Sequence, residues 1–224
     1  TLTSMPEAIR GLFGTANLLD FPPRYNIAPT QPVLIVRTGL SGAREMTLVR
    51  WGLIPSWVKD PREFTTLINA RSETAAEKPS FRGSLRHRRC LIPADGFYEW
   101  TGKAGSKQPY LIAPAEGVNK PIAFAGLWEH WLGAYGSEME SMAILTTEAN
   151  GDMMGLHNRM PLILGAEHFA SWLDCRSGSA EGIKDLLAPP PEGLLTLRPV
   201  TKALNNPRNE GIELHTAPDD DRLL

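Results

Sequence analysis

The chain lacks most of the residue patterns that mark a cofactor site or a metal centre. It has only two cysteines, Cys90 and Cys175, which lie far apart and form no CxxC pair; this argues against a disulfide framework or a cysteine-rich zinc site. A glycine-rich phosphate loop, an HExxH, a GxSxG and a metal-spaced group of His and Cys are all missing. No metal or nucleotide cofactor is therefore indicated, and a reducing cytosol fits the cysteine content.

Long hydrophobic runs and an excess of positive charge are missing too. No stretch approaches the roughly 20 apolar residues of a membrane helix, and the amino end has no basic region followed by an apolar run. The formal net charge is -2, so no overall field draws the molecule to nucleic acid or to anionic lipid. We expect a soluble cytoplasmic protein without membrane partners, in which any nucleic-acid contact comes from a local patch.

The pattern of apolar runs predicts a single α+β domain over residues 1–224, with a charged tail that frays from about residue 218. Short β-rich runs dominate between Gly and Pro residues. They cover 33–37, 46–51, 89–92, 97–100, 110–112, 122–128, 142–147, 162–164 and 194–200. Because strands and helices do not alternate regularly, we expect a mostly antiparallel, partly closed β-sheet core with short peripheral helices.

Three amphipathic stretches predict those helices. Ser4 with Glu7 three residues later is typical of a capping box, and this first helix should end near Gly14. Residues 166–173 and 180–187 have the apolar spacing of two further helices that pack on the sheet.

A carboxylate and an imidazole in two separate segments suit acid–base chemistry. Glu99 stands among Phe97, Tyr98 and Trp100, and burial against aromatic rings would raise its pKa into the range of a general acid or base. A strand carboxylate that simply faces water is the alternative. His157 precedes a proline and a new strand, which places it in a loop at a sheet end, where functional side chains often lie; a structural role is again the alternative.

Asn69 and Arg71 occupy alternate positions, so in an extended segment both side chains leave the same face and can reach one ligand. A phosphate with an adjacent hydroxyl would satisfy the amide and the guanidinium together. The alternative is that Asn69 caps a turn and Arg71 pairs with Glu73.

Two further features are compatible with nucleic acid. Trp57 is flanked by loop-forming residues and could stack on a base, an interaction worth ~1 to 3 kcal/mol, although most tryptophans are core residues. A basic run could attract a phosphate backbone, with a solvated face as the alternative. This run contains Arg82, Arg86, His87, Arg88 and Arg89.

Five ordered motifs together resemble the SOS-response-associated peptidase (SRAP) family, the family of abasic-site shields. They are YNIAPTQ at 25–31, WGLIPSW at 51–57, INARSET at 68–74, RCLIPADGFYEW at 89–100 and HNRMP at 157–161. The resemblance runs from Thr1 to about Asn206, which is nearly the whole chain. It implies a protein of the DNA-damage and SOS response that binds abasic sites in single-stranded DNA and joins them covalently through an amino-terminal cysteine. In this family the cysteine amine forms a Schiff base with the sugar aldehyde, and the thiol then closes a thiazolidine ring.

The same resemblance implies roles for individual residues. Glu99 matches the carboxylate that shuttles protons, His157 the imidazole that helps to open the sugar ring, and Asn69 the amide that positions the reacting end. Phosphate contacts are implied for Arg71 and Arg159. Trp57 and Pro29 match the surface that supports the bases around the lesion, and Thr146 is a weaker match.

The chain departs from the family pattern at its beginning. Sequences of the family open with Met-Cys-Gly-Arg-Phe, whereas this sequence begins at Thr1. We expect an opening of that kind, with its cysteine, to precede Thr1 in the natural protein. Cys90, in an apolar strand, and Cys175, after a packing helix, are poor substitutes because a buried thiol is inert. The expected partner is single-stranded DNA with abasic sites, bound by a monomer that is nucleoid-associated when on DNA.

Three alternatives to a covalent shield remain open at this point. One is a noncovalent single-strand binding module, and another is a peptidase of the hydrolase class that processes its own amino end. The third is an enzyme in which Thr1 is itself the nucleophile, with its amine as the base.

Overall fold

Eleven β-strands and three α-helices form the regular structure of residues 1–103, 105–176 and 180–218, the part of the chain that this computed structural model describes. The strands are β1 (Pro32–Thr38), β2 (Arg44–Trp51), β3 (Asn69–Arg71), β4 (Arg89–Ala94), β5 (Phe97–Thr101), β6 (Gln108–Pro114), β7 (Ile122–Leu132), β8 (Glu138–Glu148), β9 (Arg159–Pro161), β10 (Ile163–Leu164) and β11 (Leu195–Pro199). The α-helices are α1 (Pro6–Phe13), α2 (Arg82–His87) and α3 (Phe169–Leu173). Short 3-10 helices cover Gly151–Met153, Ala166–His168, Glu181–Leu187, Lys202–Asn205 and Ile212–His215. The tail that we predicted to fray lies, apart from Pro218, outside the described residues.

A partly closed barrel of five strands forms the core. Its strands follow the order β7, β4, β1, β2 and β8, and β8 pairs with β7 again. The pairings are antiparallel except that of β2 with β8, which is parallel. Two short strands extend this sheet at the end of β8: β3 pairs with β8 in parallel, and β9 pairs with it in antiparallel orientation. A separate antiparallel sheet is formed by β5, β6 and β11. The predicted α+β class, with its mostly antiparallel and partly closed sheet, is confirmed.

Apolar residues cover both faces of the barrel strands. In β1, Leu34 and Val36 belong to the layer beneath the helices, while Val33 and Ile35 belong to the opposite layer, as the two-residue repeat of a strand requires. The helical layer includes Phe13, whose ring stacks on that of Phe169 at 4.9 Å. The opposite layer continues into the three-stranded sheet and leaves a cavity between the two sheets.

The helices differ from their predicted form in two ways. α1 ends at Gly14, whose φ of 63° is suited to a glycine, but the predicted capping box is wrong. The Ser4 hydroxyl donates to Asp95 at 2.5 Å instead, and Met5 occupies the cap position. The helix predicted at 166–173 divides into a 3-10 turn and α3, and the one at 180–187 is a 3-10 helix. None of the helices in the described residues has the length and apolar composition needed to cross a membrane.

Arg89 does not belong to a basic surface, contrary to the prediction for the run that contains it. Its side chain is buried, and its guanidinium donates to the carbonyls of Trp172 at 2.6 Å, Leu85 at 2.7 Å and Asp174 at 2.5 Å. Arg89 therefore joins β4 to α2 and α3. Arg86, three positions earlier, is exposed.

We predict that Arg89→Met lowers the free energy of unfolding by about 2 to 4 kcal/mol, because three buried carbonyls lose their donors. Urea denaturation measures this change. The matched variant Arg86→Met should alter the free energy by less than about 0.5 kcal/mol. Equal losses in the two variants would contradict the assignment of Arg89 to the core.

Candidate active site

A cavity of about 760 Å³ lies between the barrel and the three-stranded sheet. Its apolar part is formed by Val33, Ile92, Phe124, Met142, Ile144 and Met160. The cavity is also lined by the residues to which the family resemblance gave a role, all of them except Trp57; apart from Pro29 they are polar. These are Pro29, Asn69, Arg71, Glu99, Thr146, His157 and Arg159.

Glu99 and His157 meet in this cavity from separate parts of the fold. Glu99 lies on β5, and His157 lies in the loop that precedes β9. The His157 Nδ1 is 4.0 Å from the Glu99 Oε1. Burial raises the pKa of the Glu99 carboxyl above its ordinary value, while the nearby His157 acts in the opposite direction. The pair thus combines a carboxyl that holds its proton more strongly than an exposed glutamate with an imidazole that can exchange one.

The Arg159 backbone holds the His157 ring at one nitrogen. The Arg159 N–H lies 3.0 Å from the His157 Nδ1, and the Arg159 carbonyl lies 3.0 Å from the same nitrogen. A bare Nδ1 accepts from the N–H, whereas an Nδ1–H, in the other neutral tautomer or in the imidazolium, donates to the carbonyl. In either case the backbone of Arg159 orients the ring.

The loop that carries His157 is tied to the chain before β11. The Asp152 carboxylate accepts from the backbone N–H groups of Gly193, Leu194 and Leu195 at 2.8 to 3.1 Å. Met153, between Asp152 and His157, is completely buried. These contacts fix a loop that is otherwise exposed.

Arg159 is already engaged by a carboxylate. Its two terminal nitrogens donate to the Glu73 oxygens at 2.7 and 2.9 Å, and one of them also donates to the Thr146 carbonyl at 2.6 Å. This bidentate pair lowers the pKa of Glu73. The alternative in which Glu73 pairs with Arg71 is therefore wrong, since Glu73 is held by Arg159.

Asn69 and Arg71 lie on one face of β3, as their alternation predicted. Both side chains are exposed, whereas Ala70 between them is buried. In the described part of the chain, the Arg71 side chain makes no hydrogen bond or ion pair. Arg71 is thus the guanidinium in this cavity that has no carboxylate bonded to it, although its charge and that of Glu73 act on each other.

Of the two residues expected to support bases, Pro29 lines the cavity and Trp57 does not. Trp57 is 59% exposed and its ring packs edge-on against Phe64 at 5.6 Å. Sequence reasoning missed Trp100, which is 36% exposed at the cavity and donates through its Nε1 to the Asn205 Oδ1 at 2.7 Å. Strict alternation would place Trp100 on the face opposite its neighbour Glu99, so the strand pattern gave no signal for this residue.

Neither cysteine belongs to the cavity. Cys90 is completely buried, and burial raises the pKa of its thiol far above the ordinary value; the Cys175 sulfur accepts from the Arg89 N–H at 3.5 Å. Over the residues described, no group of three or more His, Cys, Asp or Glu side chains could hold a metal ion. The groups available for chemistry here are thus the carboxyl, the imidazole, the amide and the guanidiniums.

Thr1 also lines the cavity, near the strand that carries Glu99. Its nitrogen donates to the Gly96 carbonyl at 3.0 Å, and its carbonyl accepts from the Asp95 N–H at 3.0 Å. The Thr1 hydroxyl donates to the Arg24 carbonyl at 3.0 Å. The amino end of the chain therefore lies in the same cavity as the carboxyl and the imidazole.

A partly closed barrel, with a carboxyl, an imidazole and two guanidiniums in one otherwise largely apolar cavity, defines the class of α+β protein to which the chain belongs. The chain belongs to the SOS response associated peptidase (SRAP) family, whose model matches residues 1–207. This confirms the resemblance seen in the five motifs.

Similar proteins extend over most of the chain. The abasic site processing protein YoaM of Bacillus subtilis is 38% identical over 195 residues, which are 87% of this chain and 85% of YoaM. The abasic site processing protein HMCES of Gallus gallus is 33% identical, with 85% of this chain and 65% of HMCES covered. A crystal structure from Bacteroides thetaiotaomicron has the same fold, with a TM-score of 0.82 at 24% identity over 97% of each chain. Another from Bordetella bronchiseptica has a TM-score of 0.73 at 29% identity, with 90% of this chain and 97% of that one covered.

We predict that His157→Gln raises the pKa of Glu99, because the variant removes the imidazolium charge that favours the carboxylate. Carbon-13 NMR of glutamate-labelled protein follows the carboxyl signal, which Glu99→Gln identifies by its loss. His168→Gln is the matched control, since His168 lies outside the cavity, in the 3-10 turn Ala166–His168, and pairs with Glu167. An unchanged or lowered Glu99 pKa in His157→Gln would show that the two groups are not coupled.

Proposed function

We propose that this protein processes abasic sites in single-stranded DNA and joins them covalently through a cysteine that precedes Thr1. The observation that carries the proposal is the shared cavity, in which Thr1, Glu99 and His157 lie together. Membership of the SRAP family supports it, because several relatives are named abasic site processing proteins.

The polar part of the cavity suits a nucleotide without its base. The Arg71 guanidinium is the first contact for a backbone phosphate, and Asn69 on the same face can bond a sugar oxygen. The exposed ring of Trp100 and the Pro29 surface offer apolar contacts for bases next to the lesion.

The first chemical step opens the sugar. In the closed form, C1′ carries a hydroxyl and the ring oxygen. Ring opening removes the hydroxyl proton, breaks the bond from C1′ to the ring oxygen and places a proton on that oxygen. His157 supplies the second proton and Glu99 accepts the first, or the two exchange roles through the contact at 4.0 Å.

The second step forms the link. The cysteine amine attacks the aldehyde carbon, and one amine proton moves to the former carbonyl oxygen. Glu99 delivers a proton to the resulting hydroxyl, which leaves as water, and the remaining proton on the iminium nitrogen returns to Glu99 to give the imine. The thiol sulfur then adds to the imine carbon, and the thiol proton passes to the ring nitrogen. The product is a five-membered ring that contains nitrogen and sulfur, and one water is lost for each link.

We predict that the natural full-length protein gives an adduct with an abasic single strand that survives a denaturing gel, with the mass of protein plus DNA minus one water. Glu99→Gln should lower the rate of adduct formation by about a hundredfold, since it removes the proton carrier. It should leave noncovalent affinity for the strand within about twofold. Intact-mass spectrometry and a time course of the gel band measure these quantities.

Two controls accompany this experiment. A strand with a reduced abasic site, which has no aldehyde, should give no adduct, and Glu116→Gln, at an exposed glutamate outside the cavity, should react at the parental rate. Retained binding without any adduct would favour the noncovalent single-strand module. Release of a peptide from the amino end would favour self-processing.

We predict that Arg71→Ala weakens noncovalent binding and reduces the slope of log K against log salt by about 0.7, the contribution of one phosphate of a single strand. Fluorescence anisotropy with a labelled strand at several salt concentrations measures both effects. Arg82→Ala, which removes an exposed arginine of the basic run, should change neither. A larger loss of slope in Arg82→Ala would place the DNA path along α2 instead.

A further inference from the structure

Asp95 receives hydrogen bonds from two successive residues of the amino-terminal segment. Its Oδ2 accepts from the Thr3 N–H at 2.5 Å, the Ser4 N–H at 2.6 Å and the Thr3 hydroxyl at 3.2 Å. Its Oδ1 accepts from the Ser4 hydroxyl at 2.5 Å. Four donors nearly saturate the acceptor sites of one carboxylate, and bonds to an ionised acceptor are the stronger kind.

The segment ahead of α1 is held on its other side as well. Leu2 exchanges two backbone hydrogen bonds with Arg24, both of 2.8 Å. The Leu2 side chain is buried in the helical layer of the core. Thr1 is hydrogen-bonded to Asp95 and Gly96, and Leu2 is hydrogen-bonded to Arg24. These contacts fix the course of the first four residues, which leads to the cavity.

The residue that holds this segment also lies in the stretch that carries the acid. Asp95 and Glu99 are four positions apart: Asp95 lies in the turn between β4 and β5, and Glu99 lies on β5. The turn packs closely on β6, because a Cβ at Gly96 would lie 2.6 Å from the Ile112 carbonyl oxygen. The same turn therefore holds the amino-terminal segment and leads into the strand that carries the Glu99 carboxyl.

We propose that Asp95 is a positioning residue, whose carboxylate aligns the amino-terminal segment so that the reactive residue ahead of Thr1 meets the sugar next to Glu99. This inference rests on the proposed function, since it concerns the rate of the link. Correct placement of two reacting groups contributes strongly to rate, and a displacement of about 1 Å costs roughly a hundredfold.

A purely structural role would have different consequences. If Asp95 only stabilised the start of α1, its loss would lower thermal stability and affect DNA binding and crosslinking alike. If Asp95 positions the amino end, crosslinking and DNA binding respond differently to its loss. The reason is that Arg71, Asn69 and Trp100 bind the strand without help from the amino end. The rate of the link at saturating DNA should then fall while the affinity stays.

The experiment compares the natural full-length protein with Asp95→Ala, Asp95→Asn and Ser4→Ala. It measures the single-turnover rate of adduct formation at saturating abasic strand, the dissociation constant for an undamaged strand, and Tm. Asp95→Ala should lower the rate 10- to 100-fold and leave the dissociation constant within twofold. Asp95→Asn should keep the rate within about fivefold, since its oxygen still accepts both N–H groups and its amide donates to the Ser4 hydroxyl.

Ser4→Ala removes only the hydrogen bond from the Ser4 hydroxyl to Asp95 and changes no charge. It therefore tests the positioning of the amino-terminal segment even if Asp95→Ala folds poorly. Its rate should fall severalfold at unchanged affinity. Asp20→Ala is the matched control, because Asp20 is an exposed carboxylate near Thr3 and Ser4, and it should react at the parental rate.

Parental rates in both Asp95→Ala and Ser4→Ala overturn the positioning role and leave the proposed function intact. A parallel fall of rate and affinity in Asp95→Ala, without recovery in Asp95→Asn, also overturns it. No adduct from the parent overturns the proposed function, and the role of Asp95 with it.

Discussion

The hydrogen bonding of β8 to four other strands is the constraint on which the pocket depends. β8 closes the barrel against β2 and β7, and it also pairs with β3 and β9. Thr146 lies opposite Arg71 on one side and Pro161 on the other. Two guanidiniums from distant parts of the sequence are thereby set beside one strand. A shift of register by one residue would turn Arg71 to the other face of the sheet and remove it from the cavity.

The acid reaches this site from the second sheet. Glu99 lies on β5, which pairs with β6 and not with the barrel, and its partner His157 comes from a loop that Asp152 ties down. The electrostatic character of the site follows from this division. The side of β8 brings positive charge, whereas the three-stranded sheet brings a part-buried carboxyl with a raised pKa. On the proposed function, phosphate binding and proton transfer have separate places in one cavity.

Local patterns in the sequence were enough for most of the strands and for several of the side chains that line the cavity. The alternation at Asn69 and Arg71 set their common face, and the aromatic neighbours of Glu99 indicated its burial. Patterns of this kind carry no information on which distant groups meet. Ser4 has the sequence context of a helix cap, yet a carboxylate some 90 residues later competes for its hydroxyl. Arg89 looks like part of a charged surface, yet three carbonyls from other elements surround it. The parallel pairing of β2 with β8 and the Glu73–Arg159 pair are likewise long-range outcomes.

The Glu73–Arg159 pair gives one of the two guanidiniums in the cavity an internal ligand with which any incoming anion competes. On the proposed function, a phosphate that binds Arg159 replaces a carboxylate already bound in bidentate form, so it gains only the difference between two similar contacts. A strand with several phosphates can also contact Arg71, which a ligand with one phosphate cannot do at the same time. On that function, the internal carboxylate favours an extended polyanion over a single phosphate.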